Sequence, residues 1–194
     1  MRYKFAVSGA ADSEMCDAGA AEKAEEIGRE IVRQGGILIT GATSGIPSFS
    51  AKGAKEEGGI VIGLSPASTL SHHIKTYKLP IENHDTIIFT GFNYSGRNLL
   101  LTKAADAVIV ICGGFGTLNE FTIALEDNKP LGILEGTGGT AEEISNLLMK
   151  ISDPHRHGQG KVIFSKEPRE LVSRLKDLIE KEQKELKVDS PIGE

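Results

Sequence analysis

The chain has little cysteine and no long apolar run. Its two cysteines, Cys16 and Cys112, do not form a CxxC motif. Two are too few for the disulfide framework of a small secreted domain, and they fit a reducing cytosol. No apolar segment approaches the ~20 residues that cross a bilayer, and residues 1–8 lack the apolar core of a signal peptide. We therefore expect a cytoplasmic protein without a membrane partner.

The chain also lacks the basic excess of a nucleic-acid-binding protein. Its 22 basic and 27 acidic residues give a formal net charge of −5, so no nucleic-acid partner is expected. Apolar residues make up 39% and charged residues 25%, which is ordinary for a globular protein and argues against global disorder. The length of 194 residues suits one domain. We predict a single domain over residues 1–186 and a polar tail over 187–194.

Short apolar runs alternate with amphipathic segments along the whole chain. Continuous apolar runs of this kind are typical of parallel strands that helices cover on both faces. The pattern predicts an α/β, Rossmann-like, doubly wound and mostly parallel sheet of about seven strands with helices on both faces. Strands are expected at residues 3–8, 36–40, 60–64, 86–90, 107–111, 131–134 and 162–164, and helices at 18–34, 46–57, 95–104, 118–127, 140–151 and 167–184.

The strongest motif is the segment VIVICGGFGTLNE at residues 108–120. An apolar strand runs into Gly113, Gly114 and Gly116, which permit positive φ angles and close approach of the backbone to a ligand. The free N–H groups and dipole of the following helix favour an anion. Thr117 can donate its hydroxyl to a phosphate or cap the helix. The alternative is a glycine-rich turn that binds nothing.

Glu120 lies one turn into the same predicted helix. A carboxylate there is favoured by the helix dipole alone. It can also point into a ligand cleft, where it would hold a ribose hydroxyl or stabilise an oxocarbenium-like transition state. The position in the helix does not separate these two interpretations.

Two further loops follow predicted strands. In TGATSGIP, at residues 40–47, Gly41 and Gly45 expose backbone amides, and Thr43 or Ser44 can help to hold a phosphate. Pro47 suits a first helical turn. Gly9 follows the first strand in a similar way.

The third loop, at residues 90–98, leads to Arg97. If Ser95 caps the helix, Arg97 lies in the first turn, where a cation opposes the dipole unless an anion binds nearby. A solvated or acid-paired arginine is the alternative.

Histidine and cysteine give weaker signals. His72, His73, His155 and His157 lack the ligand spacing of a metal site, so we expect solvated loop histidines and no metal. Cys112 ends a buried strand and is expected to be a small core residue. A reactive thiol is the alternative, because a nearby helix N-terminus lowers thiol pKa values.

The segment CGGFGTLNE at residues 112–120 resembles the PGGxGTxxE motif of the Lonely Guy (LOG) family, long labelled "possible lysine decarboxylase". With residues 40–47 and 95–98, it looks most like the LOG-related branch that includes molybdenum-cofactor carrier proteins. The resemblance covers nearly the whole chain. It implies hydrolysis of the N-glycosidic bond of a nucleoside 5′-monophosphate, which releases the base and ribose 5-phosphate.

By the same resemblance, Arg97 and Glu120 are the catalytic residues. The residues that hold the phosphate are Gly113, Gly114, Gly116 and Thr117. The resemblance also implies a homodimer or higher homo-oligomer. Nothing in the sequence supports the pyridoxal phosphate that the decarboxylase label suggests, and no cofactor is expected.

The chain departs from the family motif at two positions. Cys112 replaces the motif proline, and Asn98 follows Arg97 where LOG enzymes usually carry lysine. Carrier-type relatives bind a pterin-based, phosphate-bearing cofactor on the same scaffold and need not be catalytic. Three interpretations stay open: a phosphoribohydrolase, a non-catalytic carrier or sensor of a nucleotide-like ligand such as molybdenum cofactor, and a scaffold with structural glycine loops. Arg97 and Glu120 facing one pocket would favour the first.

Overall fold

The computed structural model describes residues 1–151 and 161–188. His155 and His157 lie outside these residues. Within the described ranges, strands and helices alternate along the chain as predicted. The strands are β1 (Lys4–Gly9), β2 (Ile37–Thr40), β3 (Val61–Ser65), β4 (Thr86–Phe89), β5 (Ala107–Ile111), β6 (Leu131–Leu134) and β7 (Val162–Ser165). The helices are α1 (Ala20–Arg33), α2 (Ile46–Glu56), α3 (Leu70–Lys75), α4 (Asn93–Ala104), α5 (Phe115–Glu126), α6 (Gly139–Lys150) and α7 (Pro168–Val188).

The strands form one parallel sheet in the order β4-β3-β2-β1-β5-β6-β7. The order runs outward in both directions from the β1–β5 pair, where Gly9 lies opposite Ile111. This pair is the topological switch point of the sheet, beside which open α/β sheets bind their ligands. The predicted Rossmann-like fold is confirmed, and a ligand site is expected at the loops after β1 and β5.

Helices cover the sheet on both faces. Ile109 and Ile111 of β5 pack with α1, α2 and α7, while Val108 and Val110 pack with α4, α5 and α6. All five residues of β5 are buried, because neither face of the strand meets solvent. This two-sided burial explains why the sequence shows continuous apolar runs instead of alternation.

Two helices near the switch point begin earlier than the sequence predicts. Helix α4 starts at Asn93 instead of residue 95, and α5 starts at Phe115 instead of residue 118. Neither helix has a side-chain cap, so Ser95 and Thr117 do not cap as proposed. Arg97 is consequently the fifth residue of α4, beyond the first turn, and the expected conflict with the helix dipole does not arise.

The segment between β3 and β4 corrects a second expectation. It contains α3, and His73 in that helix is fully buried instead of solvated. Its Nδ1 lies 2.8 Å from Ser65 Oγ and its Nε2 lies 2.9 Å from the Pro80 carbonyl oxygen. With a partner at each ring nitrogen, the imidazole joins α3 to the end of β3 as a structural element.

Cys16 and Cys112 form a disulfide across 96 positions of sequence, with their Cα atoms 5.6 Å apart. Cys112 is fully buried, as expected, but it is neither a free core thiol nor a reactive one in this structure. The expectation of reduced cysteines is therefore corrected. In the described part of the chain, none of the helices combines the length and apolarity required to span a membrane.

Candidate functional site

A cavity of about 400 Å³ opens at the carboxyl ends of β1 and β5. Five segments line it: the end of β1 with the loop after it, the loop after β2, the first turn of α2, the first half of α4, and the start of α5 with the glycine loop before it. Their polar and glycine members are Ser8, Gly9, Asp12, Gly41, Thr43, Tyr94, Arg97, Asn98, Gly114, Gly116, Thr117 and Glu120. The cavity therefore lies at the switch point, where the fold predicts a ligand.

Arg97 and Glu120 meet in this cavity. The Arg97 Nη1 atom lies 3.1 Å from Glu120 Oε1, and the two residues are only 6% and 5% exposed. Glu120 is the sixth residue of α5, so the helix brings its carboxylate back to the end of β1. The two predicted catalytic residues thus face one pocket, and Glu120 pairs with the arginine instead of a surface lysine.

Two other side chains orient the Glu120 carboxylate. Ser8, at the end of β1, donates its hydroxyl to Oε2. The hydrogen-bond network favours the Asn98 amide orientation in which Nδ2 donates to Glu120 Oε1 at 2.9 Å and to the Tyr94 carbonyl at 3.0 Å. The sequence analysis did not identify Ser8 as a site residue, although it identified Gly9, which follows it. It treated Asn98 only as a departure from the family motif.

Burial dominates the electrostatics of the ion pair. It raises the pKa of the Glu120 carboxyl above its ordinary value, and the charge of Arg97 and the Ser8 hydrogen bond offset this only in part. Burial likewise lowers the pKa of the Arg97 guanidinium, against the attraction of Glu120. Among the described residues that line the cavity, Arg97 is the one cation, whereas Asp12 and Glu120 are acids.

Gly9 and Gly41 make room for the site. A Cβ on Gly41 would lie 2.1 Å from Arg97 Nη1, so only glycine lets the guanidinium reach this position. A Cβ on Gly9 would lie 2.4 Å from the Ile46 side chain and 2.6 Å from the Ile111 carbonyl oxygen. Both glycines are required by close packing, and both also line the cavity.

The predicted phosphate-binding residues divide into two groups. The cavity is lined by Gly9, Gly41, Thr43, Gly114, Gly116 and Thr117. The other three lie outside that lining. Ser44 donates its hydroxyl to the Ala11 carbonyl at 2.9 Å, Gly45 packs against the carbonyls of residues 10 and 11, and Gly113 lies under the Thr117 side chain.

A second cavity, of about 450 Å³, lies on the other side of the glycine loop. It shares Met15 and Gly114 with the first cavity and is bounded by α5 and α6. Its wall is largely apolar, with Leu118, Ile144 and the highly exposed Phe115. Nothing in the sequence pattern predicted this second cavity.

With this geometry in place, comparisons with known proteins identify the family. Residues 2–172 match the family described as SLOG cluster4. The chain belongs to the SLOG cluster4 family. This membership confirms the predicted relation to LOG-like proteins, which one relative and one solved structure also support.

The relatives of this SLOG cluster4 chain include an uncharacterized protein from Archaeoglobus fulgidus, 32% identical over 120 residues that cover 62% of this chain and 74% of that protein. A second is the cytokinin riboside 5′-monophosphate phosphoribohydrolase LOG of Oryza sativa subsp. japonica, 26% identical over 167 residues. That match covers 81% of this chain and 66% of the rice protein, slightly less than two thirds of its length.

Among solved structures, the Moco carrier protein from Chlamydomonas reinhardtii is 26% identical. Its TM-score with this SLOG cluster4 chain is 0.73, over 93% of this chain and 99% of the other.

Proposed function

We propose that this SLOG cluster4 protein binds a phosphate-bearing nucleotide in the β1–β5 cavity and cleaves its N-glycosidic bond. The substrate class is a nucleoside 5′-monophosphate, and the products are the free base and ribose 5-phosphate. The observation that carries this proposal is the buried pair of Arg97 and Glu120, which lies in one cavity beside the glycine-rich start of α5. The LOG phosphoribohydrolase relative supports it.

Each part of the site has a role in this reaction. The first-turn N–H groups of α5, with Thr117, bind the phosphate, because a helix start offers unpaired donors and a favourable dipole. As the bond from C1′ to the base breaks, positive charge develops on the ribose, and the Glu120 carboxylate stabilises it. Water supplies the hydroxyl at C1′, and its proton balances the charge of the departing base. Arg97 holds the phosphate or the ribose.

Ser8 and Asn98 act on the carboxylate by positioning it. Their donors face Oε2 and Oε1 respectively, so the carboxylate is held on both sides before a substrate arrives. Such preorganisation is the main way in which protein groups stabilise a developing charge.

A non-catalytic carrier or sensor of a nucleotide-like ligand is the second candidate. Asn98 carries no charge where LOG enzymes usually have lysine, which leaves Arg97 as the cation that lines the cavity within the described residues. A site with one cation and two acids is less suited to phosphate chemistry than to holding a ligand through backbone donors. The Moco carrier relative supports this candidate, with molybdenum cofactor as cargo.

The test is base release from a panel of nucleoside 5′-monophosphates, followed by chromatography. For a hydrolase, we expect turnover of at least one monophosphate and a loss of about 100-fold or more in Glu120→Gln. The exposed Glu22→Gln, in the first turn of α1, is the matched control and should retain full activity. No release, together with thermal stabilisation by a nucleotide or a pterin, would favour the carrier.

We also propose a homodimer formed through α4. Leu99 and Leu100 are exposed instead of buried, and Phe92 beside the helix start is 63% exposed. An exposed apolar surface of this kind is typical of a protein–protein interface. Sedimentation should therefore give a dimer that Leu100→Glu dissociates, whereas Lys103→Gln on the same helix should leave it intact. A monomer in the unmodified protein would contradict the proposal.

A cytoplasmic location is the remaining proposal, since the proposed substrates are cytoplasmic metabolites. Where a cytosolic protein contains a disulfide, the bond is usually transient and catalytic or redox-sensing. The Cys16–Cys112 bond is compatible with this location if it is of that kind. A fluorescent fusion should distribute through the cytoplasm, and secretion or surface display would contradict this location.

A further inference from the structure

The Cys16–Cys112 disulfide joins the two walls of the β1–β5 cavity. Cys16 belongs to the segment between β1 and α1, from which Asp12 and Met15 line the cavity. Cys112 immediately precedes the glycine loop whose Gly114 lines the opposite wall. The bond therefore connects two cavity walls that are 96 residues apart in the sequence.

The wall that carries Cys16 has little apolar anchoring. Residues 11–19 are exposed or half-buried, and Cys16 is the member that packs against the core as a partly buried apolar side chain. Hydrogen bonds to other elements include Asp17 N–H to the Thr137 carbonyl at 3.1 Å and Ser44 Oγ to the Ala11 carbonyl at 2.9 Å. Because segments with few buried apolar contacts open locally at low cost, the disulfide is the main restraint on this wall.

The bond also places Met15 against the glycine loop. The Met15 Cε and Sδ atoms lie 3.7 and 3.9 Å from the position of a Cβ on Gly114. Met15 lines both cavities, so it forms part of the partition between them. Releasing Cys16 would free its neighbour Met15 and change the wall of both cavities.

We propose that Cys16 and Cys112 form a reversible redox site that controls the order of the residue 11–19 wall and, through it, ligand affinity. The oxidised form holds the wall in place, and the reduced form releases it. Preorganised walls bind more tightly, because less ordering is required on binding. The effect on affinity rests on the proposed nucleotide-binding function, whereas the control of the wall does not.

The chemistry is a two-electron thiol–disulfide exchange with a dithiol reductant. A reductant thiolate attacks the Sγ atom of Cys16, the more exposed of the two cysteines, and forms a mixed disulfide while the S–S bond to Cys112 breaks. Cys112 leaves as a thiolate and takes up a proton. The second reductant thiolate then displaces Cys16, which leaves as a thiolate and is protonated, and the reductant becomes a cyclic disulfide. A low-molecular-weight disulfide reverses the sequence.

Amide hydrogen exchange on the full chain tests the control of the wall. The protein is oxidised with a low-molecular-weight disulfide or reduced with dithiothreitol, and intact mass reports the redox state. We expect exchange in residues 11–19 to become about tenfold faster on reduction, while the largely exposed C-terminal part of α7, whose amides exchange by local opening, stays unchanged. Cys16→Ser should exchange at the reduced rate under both conditions. Equal exchange in the two forms, or failure of the bond to form, would overturn the proposal.

Adenosine 5′-monophosphate, with inorganic phosphate alongside, probes the link to ligand binding. We expect reduction to weaken binding about tenfold, and Cys16→Ser to bind with the weaker affinity whether or not reductant is present. Unchanged or tighter binding by the reduced form would overturn the link to the site. If neither probe binds either form, the link to ligand affinity fails with the proposed function, and hydrogen exchange alone decides the redox control of the wall.

Discussion

At the residue scale, the small number of charged groups near Glu120 determines how its carboxyl group is protonated. Arg97 faces its carboxylate as a cation, Ser8 and Asn98 contribute neutral donors, and Asp12 lines the same cavity as a second acid. In this setting burial raises the pKa of Glu120. The carboxylate and the phosphate of a ligand therefore compete for Arg97, and the protonation state of Glu120 decides how strongly.

This competition predicts a pH dependence of binding. A raised pKa means that Glu120 takes up its proton at a higher pH than an ordinary glutamate, and protonation removes a negative charge beside the ligand. We expect the affinity for adenosine 5′-monophosphate, measured by calorimetry, to increase as pH falls through this raised pKa. In Glu120→Gln the side chain no longer titrates, so the pH dependence of affinity should reflect only the phosphate of the ligand, whose second pKa is about 6. Parallel pH profiles in the two proteins would contradict the prediction.

Gly41 gives a second prediction at this scale. Its φ is not in the left-handed region, so alanine is acceptable to the backbone, but the added Cβ would lie 2.1 Å from Arg97 Nη1. We expect Gly41→Ala to displace the guanidinium and lower kcat/KM, or affinity if the protein is a carrier, about 100-fold. Circular dichroism should show a retained fold. Activity close to that of the unmodified protein would mean that the position of Arg97 does not matter.

Local motifs predicted Arg97 and Glu120 but not their partners. Glu120 follows a glycine-rich strand end, and Arg97 belongs to a family-like loop, so each has a signal in the adjacent sequence. Ser8 meets Glu120 across 112 positions, and Cys16 meets Cys112 across 96. Contacts at that separation depend on the order of strands in the sheet, which one sequence without its fold does not specify.

At the element scale, strands were predicted within one or two residues, while the starts of α4 and α5 were placed too late. Apolar runs mark buried strands directly, because both faces of the sheet are covered. Helix starts rich in glycine and polar residues carry a weak local signal, and packing overrides it. In α5 this matters for function, since Gly116 and Thr117 belong to the first helical turn and not to the preceding loop.

Because α5 starts early, Gly116 lies inside the helix, and we expect Gly116→Ala to raise the stability of the fold but to lower the affinity for a nucleotide. A Cβ on Gly116 meets nothing within 4 Å, and its φ is not left-handed, so alanine fits the protein. We expect Gly116→Ala to stabilise the fold by about 0.5–1 kcal/mol in denaturant unfolding, because alanine has less chain entropy to lose. The methyl group would also occupy open space in the cavity, so nucleotide affinity should fall. Increased stability with unchanged affinity would place the ligand elsewhere.

At the scale of the whole molecule, the parallel sheet explains why one cavity collects residues from so many segments. Every strand points its carboxyl end to the same edge, and the order reverses between β1 and β5, so the loops that follow them diverge and leave a crevice. Fold class follows from strand and helix alternation alone. To predict where the crevice lies, the order of the strands must also be known. To predict the disulfide that crosses it, both the strand order and the position of the crevice must be known.

The same Cys16–Cys112 disulfide should also contribute to the stability of the whole fold. It closes a loop across 96 positions of sequence, and in the chain-entropy model this destabilises the unfolded state by about 4.7 kcal/mol. We expect Cys16→Ser to lower the free energy of unfolding of the oxidised protein by that order and Tm by about 10 °C. Reduced unmodified protein should match the variant, since both lack the bond. If the variant loses no stability, the unfolded chain already keeps these two segments together, and the cross-link then acts on the cavity wall alone.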